Sequence, residues 1–254
     1  MSQPGAPTPA PAPGEPLAAP GGFAAALIQA RWSALRMVRG RTVWVAWIFA
    51  LLPVGFTMVM AQSGHSAAWK DVAFPLSMLI GVIAPLFMAS SMAEEIEDRT
   101  FTYLWSRPIP RWSVVVGKLM AAAPISAGIL SVSTAACFAL AEGGTPDLLA
   151  RGVAAALCGA VTTCAVAGGL AIGVPRAGLG ATYAYLLALD YPVGWLPFSL
   201  RNLSVTYQVR QVAGAGEVDG GVVPAVFWLL GIAALWLAIG LTRLARAEFS
   251  SGER

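Results

Sequence analysis

The sequence predicts an all-α integral membrane protein with six transmembrane helices, an interfacial helix before them and a short cytoplasmic helix between the second and the third. Three observations indicate this class. Apolar side chains make up 57% of the 254 residues and charged ones 11%, whereas soluble domains carry about 25% charged residues. Six stretches are apolar enough to span a bilayer, and basic residues fall mainly on one side of them. This composition excludes a disordered chain, a coiled coil and a disulfide scaffold, and disfavours a soluble enzyme.

The first 22 residues differ in composition from the rest of the chain. They contain seven prolines and neither Lys nor Arg, and a mixture of Pro, Ala and Gly cannot build a hydrophobic core. We therefore expect residues 1–22 to be a disordered tail and residues 23–254 to form one membrane domain.

Residues 23–39 predict a helix that lies along the membrane surface before the first span. Its apolar residues fall on roughly one half, which Arg31 interrupts: Phe23, Leu27, Ile28, Leu35 and Val38. Basic side chains elsewhere on the helix would then face anionic headgroups. The alternative is a plain cytoplasmic extension of the first span.

Six apolar stretches predict the transmembrane helices. About 20 residues at about 1.5 Å each cross a hydrocarbon core of about 30 Å. The predicted spans are 43–61, 73–92, 119–141, 153–174, 177–198 and 222–241. Each is apolar on every face, unlike an amphipathic surface helix. A tight hairpin at 174–177 joins the fourth span to the fifth.

The basic residues predict the orientation of these spans. With the N-terminus in the cytoplasm, 12 of the 16 Lys and Arg residues fall in inside segments and four in outside segments. This distribution obeys the positive-inside rule. Because the number of spans is even, both termini are expected in the cytoplasm.

The segment between the second and third spans has an unusual charge pattern. Four of the five residues at 94–98 are carboxylates, and such charges favour the first turn of a helix over its last. They therefore predict the start of a new short helix, which prolines at 108 and 110 would end. Helical spacing places three apolar residues on one side of it: Phe101, Leu104 and Trp105. This face suits docking to a protein, and an ordinary charged loop that maintains topology is the alternative.

The same segment resembles the signature loop of ABC-2-type transporter permeases. The matching run reads Glu95-x-Glu97-x-Arg99-Thr100-x-x-x-Leu104-x-x-x-Pro108-x-x-Arg111 and is closed by Gly117-Lys118. The family typically has acidic residues, Gly-Thr, leucines, Pro-x-x-Arg and then Gly-Lys entering the third span. The chain departs from this pattern at Arg99, where glycine is common. The six-span layout after an interfacial helix is also similar to the family.

The resemblance implies a membrane subunit in a bacterial cell (inner) membrane that pairs with a second permease copy and with two ABC ATPase subunits. It also implies that the loop forms a coupling helix on the ATPase. Carried over by position, the coupling-loop residues are Glu94, Glu95, Glu97, Asp98, Arg99, Thr100, Leu104, Pro108, Arg111, Gly117 and Lys118. Of these, Pro108 and Gly117 would shape the loop, and Lys118 would stand at the start of the third span.

The chain does not carry the usual ATP-binding motif. Gly117-Lys118 is followed by Leu119 and preceded, five residues back, by Trp112, whereas a P-loop requires G-x-x-x-x-G-K-[ST]. The resemblance therefore implies a non-catalytic transport subunit, and no cofactor is expected. No metal site is expected either, because His65 has no Cys or carboxylate neighbours at ligand spacing. The net charge is +3, but the basic residues form no single patch beside aromatic residues, so no nucleic-acid partner is expected.

Asp190 is the only carboxylate deep within a predicted span. A charge at a helix centre costs roughly 2.5–3.5 kcal/mol on insertion scales, so such a residue is a functional candidate. Together with Tyr191 it predicts a polar lining of the translocation path near the outer side. The alternative is an interfacial carboxylate that is solvated from outside or paired with Arg201.

Other classes of function and packing stay open at this level. A stand-alone secondary transporter or channel would need ionisable residues near the midplane, and only Asp190 suggests one. An intramembrane enzyme would need a nucleophile–base or metal constellation, and a membrane assembly or anchoring protein would need only the docking loop. The glycines of the fourth span, among them Gly159, Gly168 and the Gly169-x-x-x-Gly173 pair, permit packing within the chain or a dimer interface.

Overall fold

A computed structural model describes residues 21–63, 68–97, 110–141, 144–174, 177–197, 199–215 and 221–246, with the backbone alone for residues 93–97. The described residues are almost entirely helical. The helices are α1 (Gly22–Arg39), α2 (Arg41–Gln62), α3 (Trp69–Glu97), α4 (Arg111–Leu140), α5 (Pro146–Gly173), α6 (Gly178–Tyr185), α7 (Tyr191–Val193), α8 (Val205–Ala213) and α9 (Val222–Arg246). A π-helical segment, Leu186–Asp190, joins α6 to α7, and a 3-10 helix, Ser199–Leu203, precedes α8.

Five helical stretches within the described residues are long and apolar enough to cross a membrane. They are Arg41–Gln62, Trp69–Met92, Arg111–Leu140, Pro146–Gly173 and Val222–Arg246. These coincide with five of the six predicted spans. The all-helical, multi-pass character expected from the composition is therefore confirmed.

The predicted span 177–198 has a different form. It consists of three consecutive helical pieces of eight, five and three residues, and the last ends at Val193. At about 1.5 Å per residue, the three pieces together are about 24 Å long. Pro192 has no amide hydrogen to donate to the preceding turn, and this missing bond accounts for the wider π-helical turn directly before it. The segment is thus shorter than a hydrocarbon core of about 30 Å.

The helices on either side of the charged loop are longer than the sequence predicted. The acidic cluster was expected to open a new short helix. This is wrong for residues 94–97, because α3 continues without a break to Glu97. A carboxylate near a helix C-terminus costs only about 0.3–1 kcal/mol, and the Met, Ala and Glu residues here are strong helix formers. On the other side, α4 begins at Arg111 and not at residue 119.

Helix α5 lies at the centre of the bundle and packs against α3, α4, α6, α8 and α9. Its glycines make these contacts possible. A Cβ added to Gly159 would lie 2.9 Å from Val209 Cγ2 of α8. A Cβ added to Gly169 would lie 2.9 Å from the carbonyl oxygen of Trp236 in α9. The small residues of α5 therefore serve packing within the chain, which decides between the two alternatives that the sequence left open.

Helices α2 and α9 lie at the periphery. Only 22% of the most apolar stretch of each is buried, against 67% for α3 and α4 and 72% for α5. Their outward faces carry large apolar side chains, among them Trp44, Ile48 and Phe56 on α2 and Phe227 on α9. In a membrane protein such faces contact lipid or another chain.

Helix α1 packs along α4 through its small residues, because Ala25, Ala26 and Ser33 are buried. The apolar residues that the sequence placed on one half of α1 are all exposed: Phe23, Leu27, Ile28, Leu35 and Val38. They therefore face away from the bundle. The position of α1 at a membrane surface stays a prediction.

Candidate functional site

Two ends of the bundle carry the residues that the sequence indicated. At one end α3 ends and α4 begins, and we call it the loop end. At the other end α3 and α5 begin and α8 packs against them, and we call it the α8 end. The coupling-loop residues that the structure describes lie at the loop end, and Asp190 and Tyr191 lie at the α8 end.

Gly117 allows α1 to approach α4 closely at the loop end. A Cβ at this position would lie 2.7 Å from the backbone oxygen of Ala26 and 2.8 Å from Gln29 Cβ, which is closer than side chains pack. Near the start of α1, a Cβ on Gly22 would lie 2.7 Å from Trp112 Cζ2. Helix α1 is therefore in direct contact with the first two turns of α4.

Lys118 connects α4 to α3. Its side chain is 1% exposed, and its Nζ donates a hydrogen bond to the backbone oxygen of Ser91. A buried ammonium is costly unless it is hydrogen-bonded, so this bond holds the two helices in a defined relative position. Lys118 is thus a structural link at the loop end as well as part of the family motif.

Arg111, the first residue of α4, extends the loop end to α9. Its Nη1 donates to the backbone oxygen of Leu244 at 3.5 Å, and Leu244 lies in the last turn of α9. A cation at this position complements the negative end of the helix dipole. The loop end therefore joins α1, α3, α4 and α9.

At the α8 end, Asp190 is 2% exposed and binds the N-terminus of α8. Its Oδ1 accepts from the amide of Val205 at 2.6 Å, and its Oδ2 accepts from the amide and the hydroxyl of Thr206 at 3.0 Å and 2.5 Å. Ser204 Oγ lies 3.4 Å from the same oxygen. A carboxylate at this point also complements the positive end of the helix dipole.

All four amides that a helix leaves free at its start have partners in α8. The amides of Val205 and Thr206 donate to Asp190. That of Ser204 donates to the backbone oxygen of Arg201 at 3.0 Å, and that of Tyr207 donates to Ser204 Oγ at 3.1 Å.

The last four carbonyls of α8 also have donors. Arg151 Nε donates to Val212 O and its Nη2 to Gln211 O, both at 3.2 Å, and Trp69 Nε1 donates to Ala213 O at 2.8 Å. The amide of Ala215 donates to the carbonyl of Arg210 at 3.0 Å, and Gly214 makes this turn possible with a φ of 76°. Helix α8 is therefore fully hydrogen-bonded at both ends, as a segment surrounded by protein or lipid must be.

Tyr191 belongs to an aromatic cluster beside Asp190. Its ring lies 6.2 Å from that of Trp195 and 6.5 Å from that of Phe74, centroid to centroid and both edge-on. The guanidinium of Arg210 lies 4.7 Å from the centroid of the Trp195 ring, a cation–π contact. The cluster thus lies beside the end of residues 178–193, at the α8 end of the bundle.

A polar cavity of about 360 Å³ lies between the 3-10 helix, α8 and the start of α9. Arg201, Tyr207, Gln208 and Trp228 contribute to its walls. The Arg201 guanidinium lies 5.1 Å from the centroid of the Tyr207 ring, and the carboxylate of Asp190 is directed to α8. Asp190 is therefore buried and does not bind Arg201. The alternative from the sequence, an interfacial carboxylate that is solvated from outside or paired with Arg201, is wrong.

Comparison with known families identifies the central part of the chain. Residues 50–175 match the model described as ABC-2 family transporter protein. This segment is an ABC-2 transporter domain. It runs from α2 to the end of α5 and includes the whole loop on which the resemblance rests. The predicted resemblance is therefore confirmed, and the chain is a multi-pass membrane protein. A comparison with curated proteins found no match.

The structure places the loop residues of the ABC-2 domain in two groups. Glu94, Glu95 and Glu97 lie in the last turns of α3, and Gly117 and Lys118 lie inside α4, not in the loop itself. The remaining coupling-loop residues between them, apart from Arg111, lie outside the described residues: Asp98, Arg99, Thr100, Leu104 and Pro108. Their contact with an ATPase stays a prediction.

The family resemblance implied short re-entrant elements within residues 199–221, but the residues themselves did not predict the bounds of α8 or the role of Arg151. Two local signals for this helix were present, since Ser204 is a favoured N-cap residue and Gly214 a favoured stop. Arg151 gave no signal, because its partners Gln211 and Val212 are 60 and 61 residues away in the sequence.

Proposed function

We propose that this chain is the membrane-spanning permease subunit of an ATP-binding cassette transporter, and that a separate partner ATPase hydrolyses the ATP. The match of residues 50–175 to the ABC-2 family is the observation that carries the proposal. It spans the loop between α3 and α4, and the sequence of the chain has no P-loop. The energy for transport would therefore come from another polypeptide.

The contacts at the loop end support a role in energy coupling. A partner that pushes on the segment from Glu94 to Arg111 would act on α3 and α4 together, because Lys118 binds the backbone of Ser91. It would also act on α1, because Gly117 brings α1 and α4 into backbone contact. Movement of the ATPases would thus be transmitted as a movement of several helices, which alternating access requires.

We also propose roles for the residues at the α8 end. Asp190 and Tyr191 would belong to the outer part of the translocation path, with Asp190 holding α8 beside the polar cavity and Tyr191 forming one wall of the aromatic cluster. The hydrogen bonds of Asp190 to Val205 and Thr206 account for a buried carboxylate without ion coupling. This weakens the case for a stand-alone secondary transporter.

The assembly that we propose contains a second permease copy, identical or related, in the cytoplasmic membrane of a bacterium. The exposed apolar faces of α2 and α9 offer surfaces for this pairing or for lipid. The excess of basic residues on one side favours both termini in the cytoplasm. An even number of crossings is then needed, and residues 178–193, although shorter than the hydrocarbon core, would make the sixth, since a bilayer can thin locally around a short segment.

The test is to purify the tagged full chain from its native membrane and identify the proteins that accompany it. We expect a P-loop ATPase. The variant Glu94→Lys/Glu95→Lys/Glu97→Lys should reduce the recovered ATPase at least about tenfold, a difference of about 1.4 kcal/mol in binding, at an unchanged level of the chain.

The control is Asp71→Lys, because Asp71 lies on the same helix in its first turn, at the opposite end. It should leave the recovery of the ATPase unchanged. A chain that copurifies with no ATPase and transports in liposomes without ATP would contradict the proposal.

A further inference from the structure

The polar cavity at the α8 end has an exposed rim and a buried floor. Its volume of about 360 Å³ is in the range of binding sites for small molecules. Pro197, Ser199 and Pro224 are exposed at its rim, and Trp228 beside them is 42% exposed. Gln208, which also lines the cavity, is only 2% exposed. A small molecule that enters at the surface therefore reaches a buried polar side chain.

The side chain of Gln208 presents a hydrogen-bond acceptor to this cavity. Its Nε2 donates to the backbone oxygen of Asn202 at 2.9 Å, and this bond fixes the orientation of the carboxamide, because a carbonyl oxygen only accepts. Its Oε1 accepts no hydrogen bond from the residues that the structure describes, yet protein atoms do not enclose it. The Oε1 atom therefore faces the cavity and suits a hydroxyl donor of a ligand.

The guanidinium of Arg201 is a second group in the cavity wall that the rest of the chain does not use. The sequence suggested Asp190 as its partner, but both carboxylate oxygens of Asp190 bind the start of α8. Within the described part of the chain, the one contact of the half-buried Arg201 is the Tyr207 ring, 5.1 Å from Cζ to centroid. Stacking on a ring leaves the N–H groups at the edge of the guanidinium available to a carboxylate.

The remaining walls indicate the size of the charge and the other groups of a ligand. Arg201 is the one basic residue of the cavity wall among the described residues, and the sequence 216–220 before Gly221 contains no Lys or Arg. One guanidinium matches one negative charge. The carboxamide of Asn202 adds a donor and an acceptor, and the indole of Trp228 provides an apolar wall. This combination suits a monoanion that also carries hydroxyl groups.

We propose that the polar cavity binds a small hydroxycarboxylic acid, with its carboxylate on Arg201 and its hydroxyl groups on Gln208 Oε1 and the Asn202 carboxamide. Its carbon chain lies along Trp228. The hydrogen bonds of Asp190 to the start of α8 hold this site together, because Gln208 lies on that helix. The site requires neither the ATPase nor transport of the bound molecule.

The experiment measures binding to the detergent-purified full chain by titration calorimetry with D-gluconate. Acetate offers the carboxylate without hydroxyl groups, and D-glucose offers hydroxyl groups without the charge. We expect gluconate to bind at least about tenfold more tightly than either, because each lacks one of the two kinds of hydrogen bond. Absence of gluconate binding, or equal binding of acetate or glucose, would overturn the proposal.

Two variants and a control test the residues of the site. Arg201→Gln should weaken gluconate binding at least about tenfold, since it removes a charged donor. Asn202→Ala should weaken it about threefold to tenfold, and the backbone oxygen that Gln208 binds is retained. Lys70→Gln removes an exposed cation at the same end of the bundle that does not line the cavity, and it should change the affinity less than about threefold. Equal losses with Arg201→Gln and Lys70→Gln would contradict the site.

A further variant tests whether a carboxylate of the chain itself serves Arg201. Glu217 and Asp219 precede Gly221 of the cavity wall in the sequence. Glu217→Gln/Asp219→Asn should change the gluconate affinity less than about threefold. An increase of about tenfold or more would show that these carboxylates occupy the guanidinium in the native chain, and it would overturn the proposal.

The ligand site and the proposed transport function fail separately. The binding measurements involve no ATPase, so absence of gluconate binding in a chain that recovers its ATPase would contradict only the ligand site. Gluconate binding to a chain that recovers no ATPase would contradict only the transporter proposal.

Discussion

Asp190 and Arg151 bind opposite ends of the same short helix. The carboxylate of Asp190 accepts hydrogen bonds from the first two amides of α8, and the guanidinium of Arg151 donates to two of its last carbonyls. The two charges therefore complement the helix dipole at both ends. A nine-residue helix is too short to be stable by itself, so these contacts determine its position.

Asp190→Asn should destabilise the chain by about 1–3 kcal/mol, because the variant loses a charge and leaves a buried amide of α8 without an acceptor. The measurement is the unfolding free energy of the detergent-purified chain. In the transporter that we propose, we expect this variant to lower transport more than it lowers the protein level.

Thr206→Val provides a graded comparison for this site. It removes the hydroxyl bond to Asp190 Oδ2 but keeps the backbone bond, so its effect should be smaller, about 1 kcal/mol. Asp147→Asn, an exposed carboxylate in the first turn of α5, is the control. Unchanged transport in the Asp190 variant would remove Asp190 from the proposed path.

Arg151→Gln should also destabilise the chain by about 1–3 kcal/mol, because the carbonyls of Gln211 and Val212 lose a charged donor. Hydrogen exchange should increase first in α8 and only later in α5. Lys70→Gln, which removes an exposed cation at the same end of the bundle, should have little effect. An equal effect of both substitutions would show that general charge, and not the bonds to α8, is responsible.

Gly117→Ala should cost about 1–3 kcal/mol, because a Cβ at this position would lie 2.7 Å from the backbone of α1 and the two helices would have to separate. Gly128 lies on the same helix, and a Cβ there would meet no atom within 4 Å. Gly128→Ala should therefore be neutral or stabilising by up to about 1 kcal/mol. The unfolding midpoints of the two variants, compared under one condition, test this contact.

Reporters fused to the two ends of the chain test the number of crossings. If residues 178–193 cross the membrane with the five long helices, both reporters should give a cytoplasmic signal. Five crossings would place the two reporters on opposite sides. An active periplasmic reporter at one end only would therefore contradict the sixth crossing.

The positions of the long helices could be predicted because hydropathy and length are local properties. A run such as Val222–Arg246 is apolar at every turn, and no partner is needed to recognise it. The family resemblance was also local, since its residues fall within about 25 positions of one another. The boundaries were less accurate, because the step from residue 119 back to Arg111 depends on packing of α4 against α1.

Residues 178–193 show which features cannot be predicted from neighbouring residues. The sequence indicated Asp190 as a functional candidate because a carboxylate within an apolar run is costly. It did not reveal that the first two amides of a separate helix, 15 and 16 residues later, remove that cost. The same applies to Gly117, whose significance depends on a helix that ends 78 residues earlier, at Arg39.

By itself, the sequence determined that this protein is an all-helical, multi-pass membrane protein whose residues 50–175 match the ABC-2 family, because apolar length and a contiguous motif are properties of neighbouring residues. The tertiary structure decided what the charged and small residues inside that protein do. Their hydrogen bonds and close contacts join segments that are distant in the chain, and only the folded arrangement brings those segments together.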